Sequence, residues 1–131
     1  MLQTYRSHPA QLARIRDTVR DLAVQAGLQR GRIEDLVLAI SEAAANAIVH
    51  SGSGRLTISW EVTDDRVVVE VRDEGVFRKR VPMPELDGVG GHGIPLMMAL
   101  VDEVSVREGT AVAPGTVVRM VVGRGSQAAT G

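Results

Sequence analysis

Apolar side chains recur at spacings of three and four between residues 32 and 50, the clearest hydrophobic pattern in the chain. This period places them on one face of an α-helix that packs on a core. On the same helix, Glu42, Asn46 and His50 lie four residues apart and form a polar stripe. The pattern therefore predicts a helix with a core face and a second face on which something polar rests. The core face consists of Ile33, Leu36, Val37, Ile40, Ala43, Ala44 and Ala47.

The segment before this helix predicts a short strand and another helix. Residues 2–6 can form the strand, in which Tyr5 is the only strong β-former. Ser7 can cap the helix that follows, and Gly27 ends it. We expect Gly31 to separate the two helices.

Alternation with a period of two predicts a sheet in the second half of the chain. Residues 56–62 and 66–72 are expected to form a hairpin, and residues 104–106 and 115–122 two later strands. A short apolar helix is predicted over residues 94–101. This order of elements predicts an α+β fold, a two-layer α/β sandwich with a mainly antiparallel sheet and helices on one face.

Length and composition limit the classes of function. A chain of 131 residues predicts one domain, here residues 1–123, followed by a disordered tail over 124–131. The net charge of −1, without blocks of like charge, argues against a dedicated nucleic-acid or membrane-surface protein. The absence of cysteine excludes disulfides and thiolate metal sites and fits a cytoplasmic protein. No stretch approaches the roughly 20 apolar residues of a membrane span.

Two glycine-containing segments could bind a ligand. Asp73 precedes Gly75 where a strand ends, so its carboxylate could accept a hydrogen bond from an exocyclic amine; a simple turn is the alternative. Gly91 and Gly93 come directly before a helix, whose N-terminus can bind phosphate; a flexible linker is the alternative.

The polar stripe offers a third group of candidates. The Asn46 amide oxygen could ligate Mg²⁺, and the Glu42 carboxylate could deprotonate a hydroxyl or water. The alternative is a surface glutamate and an asparagine bonded to a neighbouring loop. For His50, in the last turn, we favour a role that complements the helix C-terminus.

The order of these motifs resembles the Bergerat ATP-binding fold of the GHKL superfamily, which includes gyrase B, Hsp90, histidine kinases and MutL. Glu-x-x-x-Asn on a helix is followed by a hairpin, Asp-x-Gly at a strand end, Gly-x-Gly at a helix N-terminus and Gly-Thr in a late strand. Residues 41–50, 71–75 and 91–104 look like the bacterial anti-sigma factors that are also serine kinases. The resemblance covers about residues 7 to 122.

The resemblance implies a role for each matching position. Asn46 would be the Mg²⁺ ligand of bound ATP, and Glu42 the general base toward a partner serine. Asp73 would bond the adenine amino group. Further nucleotide contacts would come from Gly75, Gly91, Gly93 and Thr116.

The resemblance also implies partners. Such a kinase phosphorylates an anti-anti-sigma factor (a STAS domain) on a serine and also sequesters a sigma factor. No direct contact with nucleic acid or membrane is implied, and a homodimer is one expectation because the group commonly dimerises.

The chain departs from the family pattern at Phe77, where a second glycine is usual, and its lid over about residues 76–90 is short. This departure supports an alternative, a catalytically weak or inactive partner-binding module of the same fold. A third interpretation is the ATPase domain of a larger signalling protein.

Overall fold

The computed structural model describes residues 2–50, 54–73, 93–108 and 115–124. Three α-helices and five strands lie in these ranges, with a 3₁₀ turn, Pro9–Gln11, leading into the first helix. The helices are α1 (Leu12–Gln25), α2 (Arg30–His50) and α3 (Gly93–Leu100). The strands are β1 (Leu2–Arg6), β2 (Arg55–Val62), β3 (Arg66–Asp73), β4 (Glu103–Glu108) and β5 (Thr116–Gly123).

The five strands form one sheet in the order β1-β2-β3-β5-β4, and every neighbouring pair is antiparallel. The predicted hairpin is β2 and β3, joined by a turn at Thr63. The predicted α+β sandwich is confirmed, and the strands and helices lie within a few residues of their expected positions.

The core lies between the sheet and the helices. Alternate residues of β3 point to this side, where Val67, Val69 and Val71 are almost completely buried. The α2 residues expected to face the core are buried, except that Ala47 is only half-buried. The core cluster also includes Ile15 and Val19 of α1, Leu56, Ile58 and Trp60 of β2, Met97 of α3, and Met120 and Val122 of β5.

The start of the first helix corrects one prediction. The residue that caps the 3₁₀ turn is His8, not Ser7, and its Nδ1 accepts a hydrogen bond of 3.0 Å from the Ala10 N–H. The Ser7 N–H instead donates to the Gly54 carbonyl at 3.0 Å. Ser7 therefore prolongs the pairing of β1 with the start of β2, and the helical turns begin only after His8.

The boundary between α1 and α2 corrects another prediction. Gly31 does not separate the helices but lies in the first turn of α2, which begins at Arg30. A glycine costs a helix most in its interior, so one in the first turn costs little. The break comes earlier, at Gly27, whose φ of 82° is a conformation that glycine adopts readily.

The end of β5 is fixed to two distant parts of the fold by Arg124. Its Nε donates to the Ala26 carbonyl at 3.0 Å, and its Nη1 donates to the Thr63 carbonyl at 2.6 Å. Its backbone N–H donates to the Asp65 carbonyl at 2.8 Å. Arg124, which we assigned to the tail, is thus held against the fold, and residues 125–131 lie outside the described residues.

Asp102, directly after α3, joins three elements. Its Oδ2 accepts a hydrogen bond of 2.6 Å from the Gly123 N–H and one of 2.7 Å from Arg32 Nη2. The C-terminal end of α3 is thereby tied to the first turn of α2 and to the end of β5. None of the helices that the structure describes is long and apolar enough to cross a membrane.

Candidate functional site

The last residue of β3 places a carboxylate at the end of an aliphatic row. Val67, Val69 and Val71 point toward the helices, and the next residue with that orientation is Asp73. The Asp73 residue is only 6% exposed. A buried carboxylate is costly unless polar groups surround it, so its place at the end of the core marks it as a candidate binding group.

Thr116 lies directly opposite Asp73. It is the first residue of β5 and the register partner of Asp73, and it is half-buried. Register partners in an antiparallel pair have their side chains on the same face, so a hydroxyl and a carboxylate stand side by side here. Gly115 precedes Thr116 with a φ of 122°, a conformation that side chains disfavour.

The role of Gly115 was missing from the sequence-based assignment of site residues. Its positive φ lets the chain enter β5 so that Thr116 pairs with Asp73 in register. The Gly-Thr dipeptide was the available signal, and its glycine has a conformational role that the motif alone does not state.

Glu42 and Asn46 lie on adjacent turns of α2, as predicted, and both are half-buried. The helix that carries them contacts α3 and the strands β2, β3 and β5. The Ala39 and Ala43 side chains beside them are buried, so this side of α2 is covered while the carboxylate and the amide keep partial access to solvent.

A hydrogen bond from α1 fixes α2 one residue before Glu42. Arg16 Nη1 donates to the Ser41 hydroxyl at 3.1 Å, and Ser41 is buried. The sequence does not indicate this pair, because no local pattern shows that positions 25 residues apart meet. The bond holds the turn of α2 that presents Glu42.

Gly93 is the first residue of α3, the helix that packs on α2. The N-terminal amide groups of a helix point outward and favour an anion. Gly75, Gly91 and Phe77 lie outside the described residues, as does the lid. His50 is the last residue of α2.

No three histidine, cysteine, aspartate or glutamate side chains are grouped as metal ligands within the part of the chain that the structure describes. The oxygen-bearing groups at the candidate site are the Asp73 and Glu42 carboxylates, the Asn46 amide and the Thr116 hydroxyl. This set has acceptors for an amine and one amide ligand for a hard cation.

A sequence profile of the histidine kinase-like ATPase domain matches residues 5–122, which include all of these groups. The chain belongs to this family. The resemblance inferred from the motif order is thereby confirmed. Membership in the ATPase family also supports the use of ATP in general terms.

Curated members of the family include several named serine-protein kinase RsbW. The protein from Bacillus subtilis is 34% identical over 122 aligned positions, which span 81% of this chain and 76% of the relative. That from Bacillus licheniformis is 32% identical over 116 positions, with 76% of this chain and 72% of the relative covered.

One solved structure supports the fold of this family member. It is the crystal structure of the RsbU and RsbW domains of Rv1364c from Mycobacterium tuberculosis, with a TM-score of 0.70 at 21% identity. The match covers 93% of this chain but only 31% of that longer chain.

Proposed function

We propose that this protein is an ATP-dependent serine kinase and anti-sigma factor. It phosphorylates a serine of an anti-anti-sigma (STAS) partner and controls the availability of a sigma factor by exchanging partners. The observation that carries the proposal is the buried Asp73 beside Thr116 at the end of the sheet, in a chain of the histidine kinase-like ATPase family.

The pairing of Asp73 with Thr116 fits an adenine base. A carboxylate accepts a hydrogen bond from an amino group, and a hydroxyl can either donate or accept, directly or through a water. The aliphatic row that ends at Asp73 is buried in the core, and it fixes the position of the carboxylate at the end of β3. In the family pattern Gly75 lies under the base.

Asn46 and the start of α3 are proposed to hold the phosphates. The Asn46 amide oxygen is a suitable ligand for Mg²⁺, and the N–H groups at Gly93, together with Gly91, would face the phosphate oxygens. ATP would supply the transferable phosphoryl group, and its bound Mg²⁺ would neutralise part of the charge on the phosphates. The protein residues bind and orient it.

Glu42 is proposed as the general base. The partner serine oxygen would bond to the γ-phosphorus as the bond from that phosphorus to the β,γ-bridging oxygen breaks and ADP leaves. The serine hydroxyl loses its proton in this step, and the Glu42 carboxylate accepts that proton. A half-buried carboxylate on α2 suits this task, because a second protein can reach it. Ser41, held by Arg16, keeps that turn of α2 in place.

The alternative of a binding module without catalysis rests on Phe77 in place of the family glycine. In that case the protein would bind its partners without transferring phosphate. The two functions differ in one measurable product, a phosphoserine on the partner.

The test has two steps. Calorimetry with Mg-ATP should give saturable binding, and incubation with [γ-³²P]ATP and each purified STAS-domain protein of the same genome should label one of them on serine. Absence of ATP binding at millimolar nucleotide would contradict the proposal. Binding of ATP and of a STAS partner without label transfer would establish the binding module instead.

A further inference from the structure

The outer face of α2 exposes large apolar side chains on both sides of Glu42. Leu38 is 47% exposed and Val49 is 72% exposed. In the same helix the aliphatic side chains that face the core, such as Leu36 and Ile40, are fully buried. The large apolar residues of α2 are therefore buried or, in the case of Ile48, partly buried, apart from this exposed pair.

The exposed pair belongs to one stripe with Glu42. At 3.6 residues per turn, Leu38, Glu42, Ala45 and Val49 fall within about 60° of the helix circumference. Leu38 lies one turn before the carboxylate and Val49 two turns after it, and Ala45 between them is half-buried. We call these four residues the Glu42 stripe.

Elsewhere in the described ranges, the exposed large apolar residues belong to different elements, as Val24 does on α1 and Met98 on α3. Single exposed apolar residues are ordinary in proteins. A pair that brackets a candidate catalytic carboxylate on one helix face is a more specific arrangement.

The charged side chains on the α1 side of the stripe already bond to α2. Arg20 makes two hydrogen bonds to the Glu34 carboxylate, at 3.0 and 3.1 Å, and Arg16 bonds to Ser41. These contacts hold the two helices together along their seam. The surface beside Glu42 can thus contact a partner through apolar groups, with a polar rim at its edge.

We propose that the Glu42 stripe is a docking surface for the protein substrate, whose acceptor serine is flanked by apolar side chains that cover Leu38 and Val49. This inference rests on the proposed kinase function. A serine that approaches the Glu42 carboxylate along this helix face brings its flanking residues over the neighbouring turns of α2, and those turns carry Leu38, Ala45 and Val49. Substrate recognition and proton transfer therefore share one helix face.

The test uses Leu38→Ser and Val49→Ser in the full chain, with the STAS-domain protein that the wild type labels as substrate. Each variant should raise the KM for that protein about tenfold, because each removes apolar area that the interface would bury. The Kd for Mg-ATP should stay within about twofold of the wild type, because neither side chain belongs to the nucleotide groups.

Val24→Ser is the matched control. Val24 is also a valine near the end of a helix, is 60% exposed, and lies on α1 away from Glu42. It should leave the KM for the protein substrate unchanged. The oligomeric state of every variant is measured by light scattering at the assay concentration.

Three results would overturn the docking surface while leaving the kinase function intact. The KM for the labelled STAS protein could be unchanged in Leu38→Ser and Val49→Ser, or it could rise equally in Val24→Ser. A loss of activity that accompanies conversion of a dimer into monomers would identify the stripe as a contact between two copies. Failure of the wild type to bind ATP or label any STAS protein would instead contradict the proposed function.

Discussion

Asp73 and Thr116 are register partners at the ends of two central strands, and both side chains face the helix side of the sheet. If this pair binds the adenine amino group, Asp73→Asn should weaken ATP binding by about 10- to 100-fold. This is the range of affinity lost with a hydrogen bond to a charged group. Inosine triphosphate, which has a carbonyl in place of the amine, should bind the wild type less tightly than ATP.

Calorimetry with both nucleotides measures this preference. The asparagine variant should lose most of the difference between ATP and inosine triphosphate, and its thermal stability without nucleotide serves as the folding control. An unchanged preference would mean that Asp73 does not contact the base.

Asn46→Ala should remove the part of ATP binding that depends on Mg²⁺. The wild type should bind ATP more tightly with MgCl₂ than with EDTA, whereas the variant should bind it equally weakly in both. At ligand concentrations of about 100 times Kd, Mg-ATP should stabilise the wild type by roughly 2.7 kcal/mol. Asn46→Asp, which retains an oxygen ligand, should recover some of the Mg²⁺ effect, and a variant as responsive as the wild type would exclude Asn46 as the ligand.

Glu42→Gln separates binding from catalysis. The amide cannot accept the serine proton, so phosphoryl transfer should fall by a factor of about 10² or more. The Kd for Mg-ATP should change little, and Asp35→Asn provides a control for loss of a negative charge on the same helix. Wild-type transfer rates in Glu42→Gln would show that another group takes the proton.

Arg124→Met should destabilise the fold without affecting the site. The methionine keeps an apolar stem but removes the donors to the Ala26 and Thr63 carbonyls. We expect the free energy of unfolding to fall by about 1 to 3 kcal/mol, measured with urea. Arg66→Met, at the exposed start of β3, is the control, and equal stability of the two variants would argue against the role given to Arg124.

Asp102 should make stability depend on pH in the acid range. Burial raises the pKa of its carboxyl, but the Gly123 N–H and the Arg32 guanidinium stabilise the carboxylate more, so the pKa lies below its usual value of 3.8. The folded protein therefore binds this proton more weakly than the unfolded chain does. The resulting stabilisation is present above the unfolded pKa and is lost as the pH falls through the folded-state pKa.

Asp102→Asn tests this dependence. Because the Asp102 side chain is 46% exposed, solvent screens the interaction, and the variant should lose at most about 1 kcal/mol of unfolding free energy at pH 7. Urea unfolding from pH 7 to pH 3 should show this difference shrinking below about pH 4. Glu103→Gln is the neighbouring control, and a difference that grows on acidification would contradict the assignment.

Periodicity predicted the elements well because burial enforces it. The α2 residues Leu36 and Ile40 must face the core at helical spacing, and the β3 valines must alternate across the sheet. The side-chain pattern therefore predicts which face of a helix or strand is buried, but it does not predict which other element packs on that face.

Contacts between distant segments determine the helix cap and the position of Arg124, which the sequence did not predict. Ser7 has a good capping side chain, but its backbone pairs with Gly54, and the cap passes to His8. Arg124 follows the last apolar run and resembles the start of a tail, yet two distant parts of the fold supply its acceptors: Ala26 at the end of α1, and Thr63 and Asp65 in the turn between β2 and β3. Local propensity does not contain such partners.

For the candidate site, the order of the motifs predicted which residues take part. The register of the strands then showed that two of them are paired. Glu42 and Asn46 follow from helical spacing, but the pairing of Asp73 with Thr116 requires the register of β3 and β5. The strand order cannot be read from spacing, because β4 precedes β5 in the chain and yet takes the sheet edge.

The position of β3 and β5 in the sheet determines how they take part in partial unfolding. Both strands have a hydrogen-bonded neighbour on each side, whereas β1 and β4 lie at the edges. Partial unfolding events start where the fewest hydrogen bonds must break, so edge strands can exchange their amide hydrogens while the centre remains closed. The central strands therefore remain paired when an edge strand is released, and the amides in the middle of β3 and β5, such as those of Val69 and Met120, should exchange at a rate close to that set by global unfolding.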